Sequence, residues 1–371
     1  MPTWLPDRAE PPPRLPALTV VYDAGDDKAF MDWALAVHAP PAGRITVHPA
    51  PAAGAPAALA HDLLRALGKH LPLAGSEEGV CWTRDARTAW RTAAAWIWAL
   101  RIGHVLLTRA HLITVRHLER LFALAHLTGI RLALVCHGPL APEAAAAVDS
   151  LGPQTVHTLA AARRSVPTAP AAVTAGRYPW WEKAPFPPPN DEPCFLLPYA
   201  PRPCTTGELR AAQCRLGRSV LPLAAPGQPA GGPDAAPDPH LAVLARRIHT
   251  RVAHPVHAAA LAVQVLTGRP VDSLRQLRAT AFAPSALGAV PAGTHVSVPA
   301  WAADLVEAAR CFRDLDGRAG SLRFFRLTAW DRIAVDEAAQ ACGLVTSRPL
   351  AAHTAPGTGR ARLSTPTAVR S

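Results

Sequence analysis

The stretch 103–138, GHVLLTRAHLITVRHLERLFALAHLTGIRLALVCHG, constrains the fold more than any other part of this chain. Two short apolar runs, 105–107 and 132–135, flank a segment in which Val115, Leu118, Leu121, Phe122, Ala125 and Leu127 recur at helical spacing. Gly129 stands where that helix must end in a left-handed residue. A buried strand, a one-faced helix, a glycine and a second buried strand form a βαβ unit, so the strands run parallel.

The segments around this unit extend the alternation. Strands are expected over 18–22, 44–48, 80–83 and 155–159, and helices over 29–37, 57–71, 85–101 and 142–151. Strand and helix alternating in this way make an α/β domain with a mostly parallel sheet covered on both faces. Residues 1–16 form a Pro-rich arm ahead of it, so the domain is drawn over 17–164.

The chain then changes character. Residues 165–240 carry prolines in clusters (PFPPPNDEP, PYAPRP, PGQPAGGPDAAPDP) with little periodicity and read as a connector. Tyr178, Trp180, Trp181, Phe186, Phe195 and Tyr199 lie in it, which makes 178–201 a candidate docking strip for a protein partner. Residues 241–345 read as a small helical domain, with helices over 241–266, 271–279, 299–315 and 328–342 and a short strand over 294–298. Pro255 is expected to break the first of these helices. A basic tail, 346–371, closes the chain and reads as disordered.

The formal charge of +11 over 371 residues admits a polyanionic partner. The amino terminus lacks a basic region followed by an apolar core, and Arg101, Arg131 and several prolines interrupt the apolar runs, so neither a secretory signal nor a membrane span is expected. A cytoplasmic location follows, and the seven cysteines are expected to be mostly free thiols there.

Two places invite comparison with nucleotide chemistry. After the strand over 44–48 the chain enters a loop of small residues, where a phosphate-binding loop would read G-x-x-x-x-G-K-[ST]. That register puts Pro49, Gly54, Ala55 and Pro56 at the four defined positions, and Gly54 alone matches. The lysine that reaches the phosphates and the hydroxyl that ligates Mg²⁺ are both missing. The strand over 105–107 leads into Thr108 and Arg109, where a nucleotide hydrolase places the acids that hold the metal.

The stretch VLLTRAHLITVRHLERLFALAHLTGIRLALVCHGP resembles the Walker B to sensor 1 portion of AAA+ ATPases, most closely those of the transposition-helper and plasmid-borne kind. Ala110 and His111 fit the last two positions of the family's Asp-Glu-Ala-His motif, while Thr108 and Arg109 do not. The resemblance covers about residues 44–160 and implies a three-layer α/β fold of P-loop NTPase type with an eroded nucleotide site. It transfers one nucleotide-binding position, Gly54, and no catalytic residue.

Arginines supply the other functional signal. Arg246, Arg247, Arg251, Arg275 and Arg278 stand in a segment with a single acid, Asp272, and are the candidates for holding a duplex DNA backbone. A second basic strip runs through 84–131. Cys194, Cys204 and Cys214 lack the close pairing of a zinc site, and His254 and His257 could share one helical face without forming one, so no metal site is expected. The carboxylate pairs Asp26–Asp27 and Glu77–Glu78 read as solvated turns, and Asp336–Glu337 as a solvated helix face. No nucleophile elbow or Cys–His pair appears. The expectation is a non-catalytic, DNA-associated accessory or assembly protein of a mobile element, with no cofactor. A divergent NTPase and a protein-binding scaffold using 178–201 are the alternatives.

Overall fold

A computed structural model describes residues 18–50, 54–71, 81–166, 195–197, 239–267, 274, 277, 298, 300–316, 324–325, 334–339, 342 and 344–346. Its centre is a five-stranded sheet formed by β1 (Leu18–Tyr22), β2 (Arg44–Val47), β3 (His104–Leu107), β4 (Arg131–Cys136) and β5 (Gln154–Val156). The strand order is β2-β3-β4-β1-β5, and every pairing is parallel. The α/β class expected from the alternation is therefore present. The first strand of the chain lies inside the sheet, between β4 and β5, with Val20 opposite both Leu134 and Thr155.

Strand alternation divides the core into two layers. Val21, Leu106, Ala133, Val135 and Val156 face one side, where they meet α1 (Lys28–Val37) through Phe30, Trp33 and Val37, and α7 (Leu159–Ser165) through Ala162. The opposite side carries Val20, Ile45, Val47, Val105, Leu107, Leu132 and Leu134. Against it pack α2 (Ala58–Ala66), α4 (Ala86–Ala99), α5 (Val115–Thr128) and α6 (Pro142–Asp149). The chain moves one way from β1 to β2 and the other way from β2 through β5. Right-handed crossovers place those two directions on opposite faces.

Local chemistry sets the ends of these helices. The Thr114 hydroxyl accepts the His117 N–H at the start of α5, and Gly129, at φ 73°, closes it in the left-handed conformation anticipated for that position. Asp85 caps α4 by accepting the Arg87 and Thr88 N–H groups. The residues around 80–83 form α3 (Cys81–Arg84) rather than a strand. The Thr83 carbonyl meets His61 Nε2 of α2 at 2.9 Å and the Trp82 ring lies edge-on against His254, so tertiary contacts hold a helical turn here.

The second half forms α8 (Pro239–Arg251), α9 (Pro255–Thr267) and α10 (Ala300–Leu315), with a further helical turn over 334–339. Pro255 separates α8 from α9, as its ring requires. These helices share one apolar core with the sheet: Leu244, Ile248, Leu261, Leu305 and Phe312 belong to the same cluster as Trp90, Trp96 and Leu107. The helical part thus packs onto α4 instead of standing apart at the end of a connector. α4 is buried on every side from Ala89 to Ile97, Arg91 and Thr92 included, as a helix between two layers must be. Trp96 Nε1 donates to the Ala253 carbonyl at 2.6 Å, and Arg91 forms a salt bridge with Asp316 across the same contact.

A short parallel pair joins β6 (Phe195–Leu197) to β7 (Leu344–Thr346). Apart from 165–166, β6 and the first residues of α8, the expected connector over 165–240 lies outside the described residues. So do the arm over 1–16, all of the basic tail after residue 346, most of the helix over 271–279 and most of the strand over 294–298. No helix among the described residues is long and apolar enough to cross a membrane.

Candidate functional site

In an open parallel sheet, ligands bind beyond the carboxyl ends of two adjacent strands whose chains leave toward opposite faces. Here those strands are β1, which leaves to α1 on one face, and β4, which leaves to α6 on the other. The loops at this switch point are 23–27 and 137–141.

Asp23 follows β1 directly and is 3% exposed. Its N–H donates to the Cys136 carbonyl, continuing the pairing of β1 with β4 by one residue. Its carboxylate accepts the Asp27 N–H at 3.0 and 3.1 Å through its two oxygens. The turn between them puts Asp26 at φ 47°, a left-handed conformation that aspartate tolerates better than most residues. His137 follows β4, and its Nδ1 lies 3.1 Å from Asp23 Oδ2 and 3.3 Å from Asp26 Oδ1. The His137 N–H donates to His111 Nδ1 at 3.3 Å, and the two imidazoles meet edge to face with centroids 5.8 Å apart. Burial, with His137 and Arg109 nearby, lowers the pKa of His111, while the Asp26 carboxylate pulls it the other way.

The three donor atoms of Asp23, Asp26 and His137 all lie within 4.8 Å of one another. Asp23 carries no motif in the sequence, and Asp26 stands there in a pair with Asp27 that reads as a solvated turn. The available signal was position: an acid directly after an apolar strand belongs to the carboxyl end of the sheet, and the His following another such strand can meet it.

The residues chosen from sequence fall elsewhere. Gly54 follows β2, the outer strand, with β3 and β4 between it and β1. It is exposed, and a Cβ added there would meet no atom within 4 Å, so no close approach requires glycine at this place. Thr108 and Arg109 do end β3, as the register required. Thr108 is buried, donates to the Val47 carbonyl at 3.2 Å and contacts His48 Nδ1 at 2.9 Å, which ties two strand ends together. Arg109 is exposed at φ 50°. Burial first, and Arg109 second, bring the pKa of His48 down to about 4.

The arginine face over 246–278 is only partly realised. Arg246 is exposed, whereas Arg247 is buried and donates from Nη1 to the Cys342 carbonyl at 3.3 Å. Arg247 is therefore a structural residue: adjacent positions on a helix point in different directions, and this one points into the core. Arg251 is half-buried. Arg275 and Arg278 lie outside the described residues. In the other basic strip Arg84, Arg87, Arg101, Arg116 and Arg131 are exposed, and Arg91 is buried against Asp316. The docking strip over 178–201 lies outside the described residues except for β6.

Cys136, Cys311 and Cys342 are free and buried, and burial pushes each thiol up to about 12. His254 and His257 do share a face, with ring centroids 4.1 Å apart in the core. No family model, curated protein or solved structure matches this chain.

Proposed function

We propose that this chain is a non-catalytic, DNA-associated accessory or assembly protein, built on an α/β domain of P-loop type whose nucleotide site is eroded. The observation that carries the first part is the placement of Asp23. Its carboxylate accepts the Asp27 N–H and, together with Asp26, puts negative charge at the strand switch point. A nucleotide phosphate needs free N–H donors and positive charge there. The lysine that follows this loop, Lys28, opens α1, is exposed, and meets Asp32 along the helix, 2.6 Å away. Thr108 and Arg109 supply no metal-holding acid at the end of β3. What remains is a scaffold.

The DNA part rests on charge. The formal charge is +11, and Arg84, Arg87, Arg101, Arg109, Arg116, Arg131 and Arg246 are exposed. Arginine on a surface of this kind holds phosphates and gives affinity without sequence readout. Anisotropy of labelled duplex DNA against the full chain tests this. Affinity is expected to fall with salt, by a log–log slope of about −0.9 for each phosphate neutralised. Replacing Arg246 and Arg251 by Ala is expected to weaken binding and shrink that slope. No binding at low salt, or binding indifferent to salt, contradicts the DNA role and favours a protein scaffold.

A further inference from the structure

We propose that Asp23, Asp26 and His137 form a binding site for a divalent transition-metal ion of the zinc class. The proposal rests on the anion-rejecting reading of the switch point above and gives that reversed charge a ligand. It rests on geometry first. Two donors held about 2.0–2.1 Å from a tetrahedral zinc ion stand about 3.3 Å apart. His137 Nδ1 is 3.1 Å from Asp23 Oδ2 and 3.3 Å from Asp26 Oδ1. The donors come from two strand ends that β-pairing fixes, since Asp23 extends β1 and His137 extends β4.

The burial of the histidine carries the second observation. Its side chain is 8% exposed. Nε2 is buried and meets no hydrogen-bond partner among the described residues, so the ring meets polar partners through Nδ1, which faces both carboxylates. An imidazole can ligate a metal through either ring nitrogen, and Nδ1 is the one placed beside the two carboxylate oxygens.

The donor set also selects the ion. Mg²⁺ and Ca²⁺ take oxygen ligands in number, whereas one imidazole with two carboxylates suits zinc and its first-row neighbours. His111 lies edge-on against the His137 ring and accepts the His137 N–H at Nδ1, which helps fix the backbone that carries the imidazole. Bound there, an ion ties the loop after β1 to the loop after β4, the two segments that a ligand at a switch point must bridge.

The test is cobalt titration of the metal-stripped full chain, followed by visible d–d absorption, with zinc competition and excess Mg²⁺ as controls. The wild-type chain is expected to take up one equivalent with ligand-field bands, displaced by zinc and not by Mg²⁺. Asp26→Asn is the informative variant, because Asp26 is 59% exposed and asparagine accepts its left-handed backbone. It is expected to lose at least about tenfold in affinity with an unchanged circular dichroism spectrum. His137→Gln is expected to lose the bands altogether. No bands in the wild type, or equal affinity in wild type and Asp26→Asn, overturns the site. ATP binding to the metal-free chain overturns instead the eroded-nucleotide reading, so the two failures are separate.

Discussion

Lys69 donates from Nζ to the His249 carbonyl at 2.5 Å while its ammonium lies 3.3 Å from the centroid of the Trp96 ring. The contact joins residues 180 positions apart in the chain. Lys69 follows α2, and His249 lies in the last turn of α8, where Nζ satisfies one of the carbonyls that the helix end leaves open. Burial pushes the Lys69 pKa well down, with Asp304 opposing. Lys69→Ala removes a buried stem as well as the donor, and is expected to cost about 2–4 kcal/mol in urea unfolding. Lys69→Met keeps the stem and is expected to lose less than half as much. Equal losses would place the stability in the amine alone.

The same contact predicts that the α/β part does not stand alone. α4 is flanked within the α/β part by α2 and α5 and is covered on another side by α9 and α10. A fragment ending at residue 166 would expose that second apolar side and lose the Asp316 partner of the buried Arg91. It is expected to bind a hydrophobic dye and to melt without a cooperative transition. In the full chain, Arg91→Ala removes the buried end of the ion pair with Asp316 and is expected to cost on the order of 3 kcal/mol. A cooperative, dye-free 1–166 fragment would contradict the shared core.

Acid should weaken the fold through three histidines. Burial holds His38, His48 and His249 down to about 4, aided by His48, Arg109 and Lys69 respectively. The folded chain keeps these rings neutral down to about that pH, while in the unfolded chain they take up protons below the usual 6.5. The unfolded state then binds more protons, so stability falls as pH drops from about 6.5 toward 4 and is fully present above that window. Each group contributes up to about 1.4 kcal/mol per pH unit there, less where solvent reaches the ring. Urea midpoints at several pH values measure the slope. A midpoint that stays level between pH 7 and 5 would contradict it, and His48→Gln is expected to flatten the curve.

The βαβ unit at 103–138 was legible because its apolar periodicity and its terminal Gly129 specify the same structure. The break at Pro255 was legible for the same local reason. The site was not. Periodicity places strands in a sheet but does not order them, and the order decides which loops meet. With β1 central, the loop after it opens the switch point, whereas the loop carrying Gly54 lies beside the outer strand. Asp23 and His137 are 114 residues apart, and nothing local in either marks the other. The shared core was hidden likewise, since an alanine-rich helix such as α4 shows no single face from which to infer a second layer.

Asp23 and Asp26 set two carboxylates at the strand switch point, and titration of ATP with magnesium into the full chain by calorimetry tests the eroded-nucleotide-site proposal most directly. The expected result is no binding heat up to millimolar nucleotide and no rise in melting temperature. Saturable binding with a micromolar dissociation constant, lost when Lys28 is replaced by Ala, would contradict it.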